Sequence, residues 1–324
     1  MQEGTGKMKT ALVLSGGGAR GAYHVGVAKA LNDLNFPIHL VCGTSVGALN
    51  AAMIVQGDMK QLLDIWWDLD PRQVYTRNSK LKFLFSFQMH YVYPYFSSEP
   101  LAKLISDHID PKRIQKSNQK LIITACNQTL RRIVRFTNDS EDLPSALLAS
   151  SSIPIAFPPV SLNGFEFVDA GLMDNVPLKP AMEEGAEKII VVIGSHSIDP
   201  PPPIKNNLEW VLWLIDIAQA RNVLADIEMA KKINLSEDRE EKGYKLVDLI
   251  VVAPSRRLDL NATDFHKRNA IREAIKMGYE DGMRAFNSRL RKGEVQLEDI
   301  MKATFKEEGG GRAKDLFYQG NQSG

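Results

Sequence analysis

The sequence predicts an α/β protein with three layers, α/β/α, around a mostly parallel central sheet, plus a helical C-terminal extension. Three observations lead there. A short apolar run, closed by a glycine turn and followed by a helical pattern, occurs twice before residue 56. Further strand-length apolar runs recur at Leu121 to Cys126 and Leu249 to Pro254. With 324 residues, 44% of them hydrophobic, the chain can fill one large core.

Composition removes several roles. Forty basic residues stand against thirty-nine acidic ones, a net charge of +1, and no basic stripe interleaved with aromatics occurs, so nucleic acid is not an expected partner. Cys42 and Cys126 are the only cysteines, both inside apolar runs. They form no disulfide framework and no C-x-x-C pair, and neither a metal nor a cofactor is expected. Met1 to Thr10 is polar, and no run reaches the roughly 18 apolar residues of a membrane span. The expected location is cytoplasmic, with peripheral contact at the inner membrane face as an extension of that expectation.

The first strand, Thr10 to Ser15, ends at Gly16-Gly17-Gly18-Ala19-Arg20-Gly21, after which Val27, Ala30, Leu31 and Leu34 recur at helical spacing. Amides in such a strand-to-helix loop lack helical partners and face one point, so the loop suits negative charge. Its glycines also satisfy G-x-G-x-x-G, which raises dinucleotide binding. That use needs an acidic residue at the end of the next strand, about 20 residues on, to hold the ribose. Here the strand ends in Cys42-Gly43-Thr44-Ser45, and no Lys-Ser or Lys-Thr closes the glycines as a P-loop requires. An oxyanion cradle needs only a nucleophile nearby. Consecutive parallel strands send their following loops to one sheet edge, where Gly16 to Gly21 can meet Ser45.

Ile38 to Cys42 reads as a buried strand and Ala48 to Val55 as a helix, so Gly43 to Gly47 is the turn between them. In a G-x-S-x-G turn the serine takes a strained backbone position, and side chains two residues either side would collide with neighbouring chain. The Ser45 hydroxyl then projects from the turn. The Val46 amide, at a helix start, points toward whatever that hydroxyl attacks. Asp58 caps a second helix that carries Met59, Leu62, Leu63 and Trp66 on one face. Residues 81–96 are dense in aromatics without a sustained period: a lid over an apolar ligand or a lipid contact on one reading, core aromatics under a long loop on the other. Ser98 and Pro100 open the next helix, with Leu101, Leu104 and Ile105 inward.

Leu121 to Cys126 is the next strand, and Arg132 to Phe136 can pair beside it. Leu143 to Ser151 reads as a short helix, and the prolines of Ile155 to Val160 hold an extended connection into the strand Phe165 to Val168. That strand delivers Asp169-Ala170-Gly171 to the same sheet edge as Ser45. The alternative is an Asx turn that only ends the strand. Asp174 is a second candidate base, with a capping or surface role as its other reading. Val191 to Gly194 is a further strand, followed by Ser195 and His196.

After Pro200 to Pro203 comes a long helix so apolar, with Leu208, Trp210, Val211, Leu212, Trp213 and Ile217, that burial is expected. Its other uses are a homo-oligomer face through residues 208–218 or a seat on a membrane surface. Ile271, Ile275, Tyr279, Met283 and Phe286 line one face of a closing helix. The expected division is a catalytic domain over 9–200, a C-terminal extension over 201–308 packed on the same domain, and a flexible tail over 309–324.

Gly16-Gly17-Gly18-Ala19-Arg20-Gly21, Gly43-Thr44-Ser45-Val46-Gly47 and Asp169-Ala170-Gly171, in this order, resemble the three blocks of the patatin-like phospholipase family. Leu12 to Leu31, Gly43 to Ala52 and Ala149 to Leu178 resemble its bacterial members. One departure stands out: the family usually has Gly where this chain has Ala170, which would cost about 1 kcal/mol if that backbone needed positive φ. The resemblance implies a metal-free serine lipid acyl hydrolase acting on phospholipid or lysophospholipid esters. Ser45 would attack the carbonyl and Asp169 take its proton, with amides of Gly16, Gly17, Gly18, Ala19 and Val46 around the oxyanion. Gly21, Gly43, Gly47 and Gly171 would shape the turns, while Arg20 either holds the glycine loop and offsets negative charge or is a solvated surface residue. Two rivals share the residues. A Ser45, Asp169, His196 triad follows α/β-hydrolase order, but those enzymes place several strands before the nucleophile turn and this chain places at most two. A membrane-associated scaffold with the same fold and no turnover is the non-enzymatic rival.

Overall fold

The computed structural model describes residues 8–78, 94–194, 204 and 207–291. In chain order its strands are β1 (Thr10–Leu14), β2 (Leu40–Thr44), β3 (Thr76–Arg77), β4 (Phe96–Ser97), β5 (Lys120–Asn127), β6 (Arg132–Thr137), β7 (Val160–Leu162), β8 (Phe165–Asp169), β9 (Lys188–Val192) and β10 (Asp248–Val252). Apart from a β3–β4 ladder, they form one sheet in the order β10-β9-β1-β2-β5-β8-β7, with β6 also on β5. The five strands from β10 to β5 run parallel; β6 and β8 are antiparallel to β5. The sheet is therefore mixed but mostly parallel.

The helices used below are α1 (Gly21–Asp33), α2 (Val46–Gln56), α3 (Met59–Trp67), α4 (Glu99–His108), α5 (Pro111–Gln115), α6 (Leu143–Ser150), α7 (Leu178–Glu183), α8 (Asn207–Leu235) and α9 (Arg268–Phe286). Residues of β1 point alternately into two cores, because successive strand side chains face opposite ways. Leu12 and Leu14 join Tyr23, Trp66, Leu147 and Ile275 on one side; Ala11 and Val13 join Leu178, Met182 and Val223 on the other. That is the three-layer arrangement in terms of residues.

The C-terminal region is built into these layers. β10 extends the sheet beside β9, and α9 lies along α1, where Tyr23 donates to Asp281 at 3.0 Å and Tyr279 to Asp33 at 3.0 Å. The expectation that the long apolar helix is buried fails for half of α8. Leu212, Val223 and Ala230 are buried, whereas Trp210, Leu214, Ile217 and Leu224 are 43–51% exposed. The physical reason is the spacing 210, 214, 217, 224: these residues share one helix face, opposite the one that rests on the domain.

One register positions the site. β2 pairs with β5 from Leu40↔Lys120 to Thr44↔Thr124, and β8 pairs with β5 at Ala125↔Asp169, Cys126↔Val168 and Asn127↔Phe167. β6 spans Ile122 to Asn127 on β5, so it must occupy the opposite edge from both. β2 and β8 therefore run toward each other along one edge of β5. They stop at adjacent rungs.

Candidate active site

Ser45 follows the last residue of β2 and caps α2 with φ 57° and ψ −131°, a region that costs a non-glycine residue roughly 1–3 kcal/mol. Close packing holds it there. A Cβ on Gly43 would strike the Gly47 carbonyl, and one on Gly47 would strike the carbonyls of Leu14 and Ser15. The Ser45 amide donates to the Ser150 hydroxyl at 2.9 Å, which in turn donates to the Thr124 carbonyl at 2.7 Å. Thr44 and Thr124 share a 2.5 Å hydroxyl contact. The turn is thus anchored to the strand that also receives Asp169.

The Asp169 carboxylate is buried, lines the same polar cavity as Ser45, and accepts the Gly171 amide at 2.7 Å. Burial pushes its pKa up to about 6, against the lowering effect of the Ser45 hydroxyl and the Gly171 amide. Ala170 is fully buried and is not among the residues with positive φ, so alanine carries no backbone penalty at this turn. Gly171 is tight for another reason: a Cβ there would crowd Gln219, Asp169 and Asn175.

The glycine loop divides its amides. Gly16 donates to the Asn175 carbonyl at 3.1 Å and Ala19 to the Ala262 carbonyl at 2.9 Å, so two of the five amides expected around an oxyanion are already used in holding the loop. Among the described residues no main-chain acceptor takes the Gly17 or Gly18 amide, and Val46 opens α2, where the first amides have no intrahelical acceptor. Gly18 needs its glycine, because its φ is 57° and a Cβ would strike Ala262. Arg20 is not a solvated surface residue. Its side chain is 12% exposed, donates to the Gly17 carbonyl at 3.2 Å and pairs with Asp216 of α8 at 2.5 Å.

Asp174 stands elsewhere. Its carbonyl accepts the Thr44 hydroxyl at 2.8 Å, and its carboxyl, raised to about 6 by burial, senses Arg135 and Lys179 and lines neither cavity described below. His196 lies outside the described residues, as do residues 81–93 of the aromatic segment. Phe96 is buried and lines the larger cavity. His24 is enclosed beneath the glycine loop, 3.3 Å from the Ser15 hydroxyl; burial and Arg20 lower its pKa to about 3, so it stays neutral.

Two cavities meet at Ser45. The larger is almost wholly apolar: it starts at Gly18, Ser45 and Val46 and continues between α2, α3 and α4 past Leu49, Met53, Leu62 and Ile105. The smaller is more polar, lined by Gly17, Arg20, Asp169, Leu172, Asp216 and Gln219. Chemically, this joins a hydroxyl and a carboxyl at the boundary between an apolar slot and a polar chamber, beside the glycine loop. Sequence reasoning missed Ser150, Asn175, Ala262 and Asp216, all distant in the chain from the residues they hold. Only the run Asp174-Asn175-Val176-Pro177 carried a hint, as part of the resemblance.

Comparison with known proteins points to one family. The profile of the family described as Patatin-like phospholipase matches residues 12–182. Among curated relatives, Lysophospholipase NTE1 of Yarrowia lipolytica is 29% identical over 212 residues, covering 62% of this chain and 14% of that protein. The namesake in Debaryomyces hansenii is 27% identical over 298 residues, covering 84% of this chain and 18% of the relative. The chain thus spans less than a fifth of the length of either relative. Among solved structures, VipD from Legionella pneumophila aligns with a TM-score of 0.45 at 15% identity over 87% of this chain and 67% of VipD. The type III effector protein ExoU aligns with a TM-score of 0.40 at 14% identity over 93% of this chain and 59% of ExoU.

Proposed function

The chain belongs to the patatin-like phospholipase family, and from that premise we propose that it is a lipid acyl hydrolase using Ser45 and Asp169 as a dyad on phospholipid or lysophospholipid esters. The observation that carries the reading is that the Ser45 hydroxyl and the buried Asp169 carboxyl both line the polar cavity, and Ser45 also lines the apolar one, with the hydroxyl favouring the charged carboxylate.

In the first half-reaction the Ser45 oxygen bonds to the ester carbonyl carbon while its proton passes to Asp169. The carbonyl oxygen becomes an oxyanion, held by amides drawn from Gly17, Gly18 and Val46. The C–O bond to the alcohol then breaks, and Asp169 returns its proton to the departing alkoxide. Water repeats the sequence on the acyl-serine: Asp169 removes its proton, the acid is released and Ser45 is regenerated. A carboxylate in water is too weak a base for this task, and burial is what raises Asp169 toward it. The acyl chain occupies the apolar cavity and the alcohol side the polar one. The exposed Trp210, Leu214 and Ile217 suit peripheral contact with a lipid surface.

Purified protein and Ser45→Ala are to be compared on phospholipids, lysophospholipids and neutral glycerides, and with a fluorophosphonate probe. Turnover and labelling that vanish together in Ser45→Ala are expected. Ester turnover that survives Ser45→Ala would overturn the reading.

A further inference from the structure

The apolar cavity has a floor. α2 descends from Ser45, and α3 returns beside it, tied by the Trp66 indole donating to Asn50 at 2.9 Å. α4 ends against the last turn of α2: the Gln56 amide donates to the His108 carbonyl at 2.9 Å, and the Gln56 side-chain oxygen accepts from Asp110 at 2.7 Å. Arg113 donates to the Gln56 main-chain carbonyl at 3.1 Å. Gln56 is buried, and His108 lines the cavity at this level with a buried Nδ1 that has no partner among the described residues. The three helices thus converge on a floor cross-braced by hydrogen bonds, where Ile109 beside His108 closes the apolar lining.

Depth follows from helix geometry. Met53, eight residues beyond Ser45, lines the cavity, whereas Gln56, eleven beyond, does not. At about 1.5 Å per residue the floor lies roughly 12–16 Å below Ser45. Extended hydrocarbon advances about 1.25 Å per carbon, given carbon–carbon bonds of about 1.5 Å, so about ten to thirteen carbons fit. Of the two cavities at Ser45, this one is apolar and the other is small and more polar, so hydrocarbon enters this one.

We propose that this floor is an acyl ruler: the site takes a single medium-length chain, with an optimum near about twelve carbons, and Met53 sets where the optimum falls. The proposal rests on the hydrolase reading above. Each methylene up to the optimum gains apolar burial, and each one beyond must stay outside or break the hydrogen bonds at Gln56.

The test uses monoacyl glycerophosphocholines of eight to eighteen carbons at a fixed mole fraction in nonionic detergent micelles, so that the surface stays constant while the chain varies. kcat/KM is expected to rise roughly two- to fourfold per methylene to a maximum near twelve carbons, then fall at least tenfold by eighteen. Met53→Phe, which lowers the ceiling above the floor, is expected to move the maximum toward eight carbons; Met53→Ala is expected to move it upward. Circular dichroism and thermal midpoints establish that both variants are folded. A rate that rises steadily to eighteen carbons, or an optimum unmoved in both folded variants, overturns the ruler and leaves the hydrolase intact if turnover still requires Ser45. Absence of Ser45-dependent turnover at every length overturns both.

Discussion

Arg20 and Asp216 form a 2.5 Å ion pair that ties the glycine loop to α8, although 196 residues separate them in the chain. The same guanidinium holds the Gly17 carbonyl at 3.2 Å, so Asp216 acts on the loop amides through Arg20. Asp216→Asn is expected to lower kcat on a water-soluble ester by about tenfold, a loss of about 1.4 kcal/mol at the transition state. KM should change little, and Asp216→Glu should restore part of the rate. An equal loss in both variants, or one confined to KM, would remove Asp216 from this positioning role.

Asp169→Asn is expected to cost on the order of 10³ in kcat, within the usual worth of a general base. The same change should raise the thermal midpoint at pH 8. The sign follows from the folded pKa of about 6 against an ordinary aspartate value of 3.8: the native state binds the extra proton, so wild-type stability is lost as pH rises through about 6. Asparagine escapes that loss, worth roughly 1–3 kcal/mol. The gain at pH 8 should shrink toward pH 4, and a gain independent of pH would contradict the assignment.

The rate itself should follow the carboxylate. With Asp169 as base, kcat/KM is expected to fall about tenfold per pH unit below about 6 and to level off above it. Asp226, raised to about 7 by burial and by Asp174, offers a competing explanation for such a limb. Asp226→Asn should leave the profile in place.

Gly18→Ala should be worse than Gly17→Ala in both stability and rate. A Cβ on Gly17 meets only the Arg20 side chain at ordinary contact distance, so its cost is the backbone strain of alanine at φ 153°, whereas one on Gly18 strikes the main chain at Ala262 and in addition forces alanine to hold φ 57°. Gly18→Ala is expected to cost on the order of 10² or more in kcat and to lower the thermal midpoint by several degrees. Paired melting curves and rates on one ester decide it.

Much of the site was legible because it is local. The turn at Ser45 announces itself through Gly43 and Gly47, and the loop at Gly16 through an abrupt end to an apolar run. The aspartate was legible only as a strand end. That β8 runs opposite to β5, and reaches the serine from the far side, depends on a pairing of residues 125–127 with 167–169 that no local pattern encodes. The amides of Gly16 and Ala19 were misjudged for a related reason, since their acceptors come from Asn175 and Ala262. α8 was misjudged because its composition is apolar on both faces, and composition cannot say which face the fold covers.

The head-on meeting of β2 and β8 has a consequence for how such a protein can change. Because both strand ends are pegged to consecutive rungs of one neighbour, the reactive pair is spaced by β5 itself, whatever length of polypeptide lies between the two. The exposed turn at Gln128 to Arg131, which leads into β6, could accept grafted segments or whole inserted modules without opening that gap. Lineages or designers can therefore rewrite the periphery of this scaffold while its chemistry stays in place.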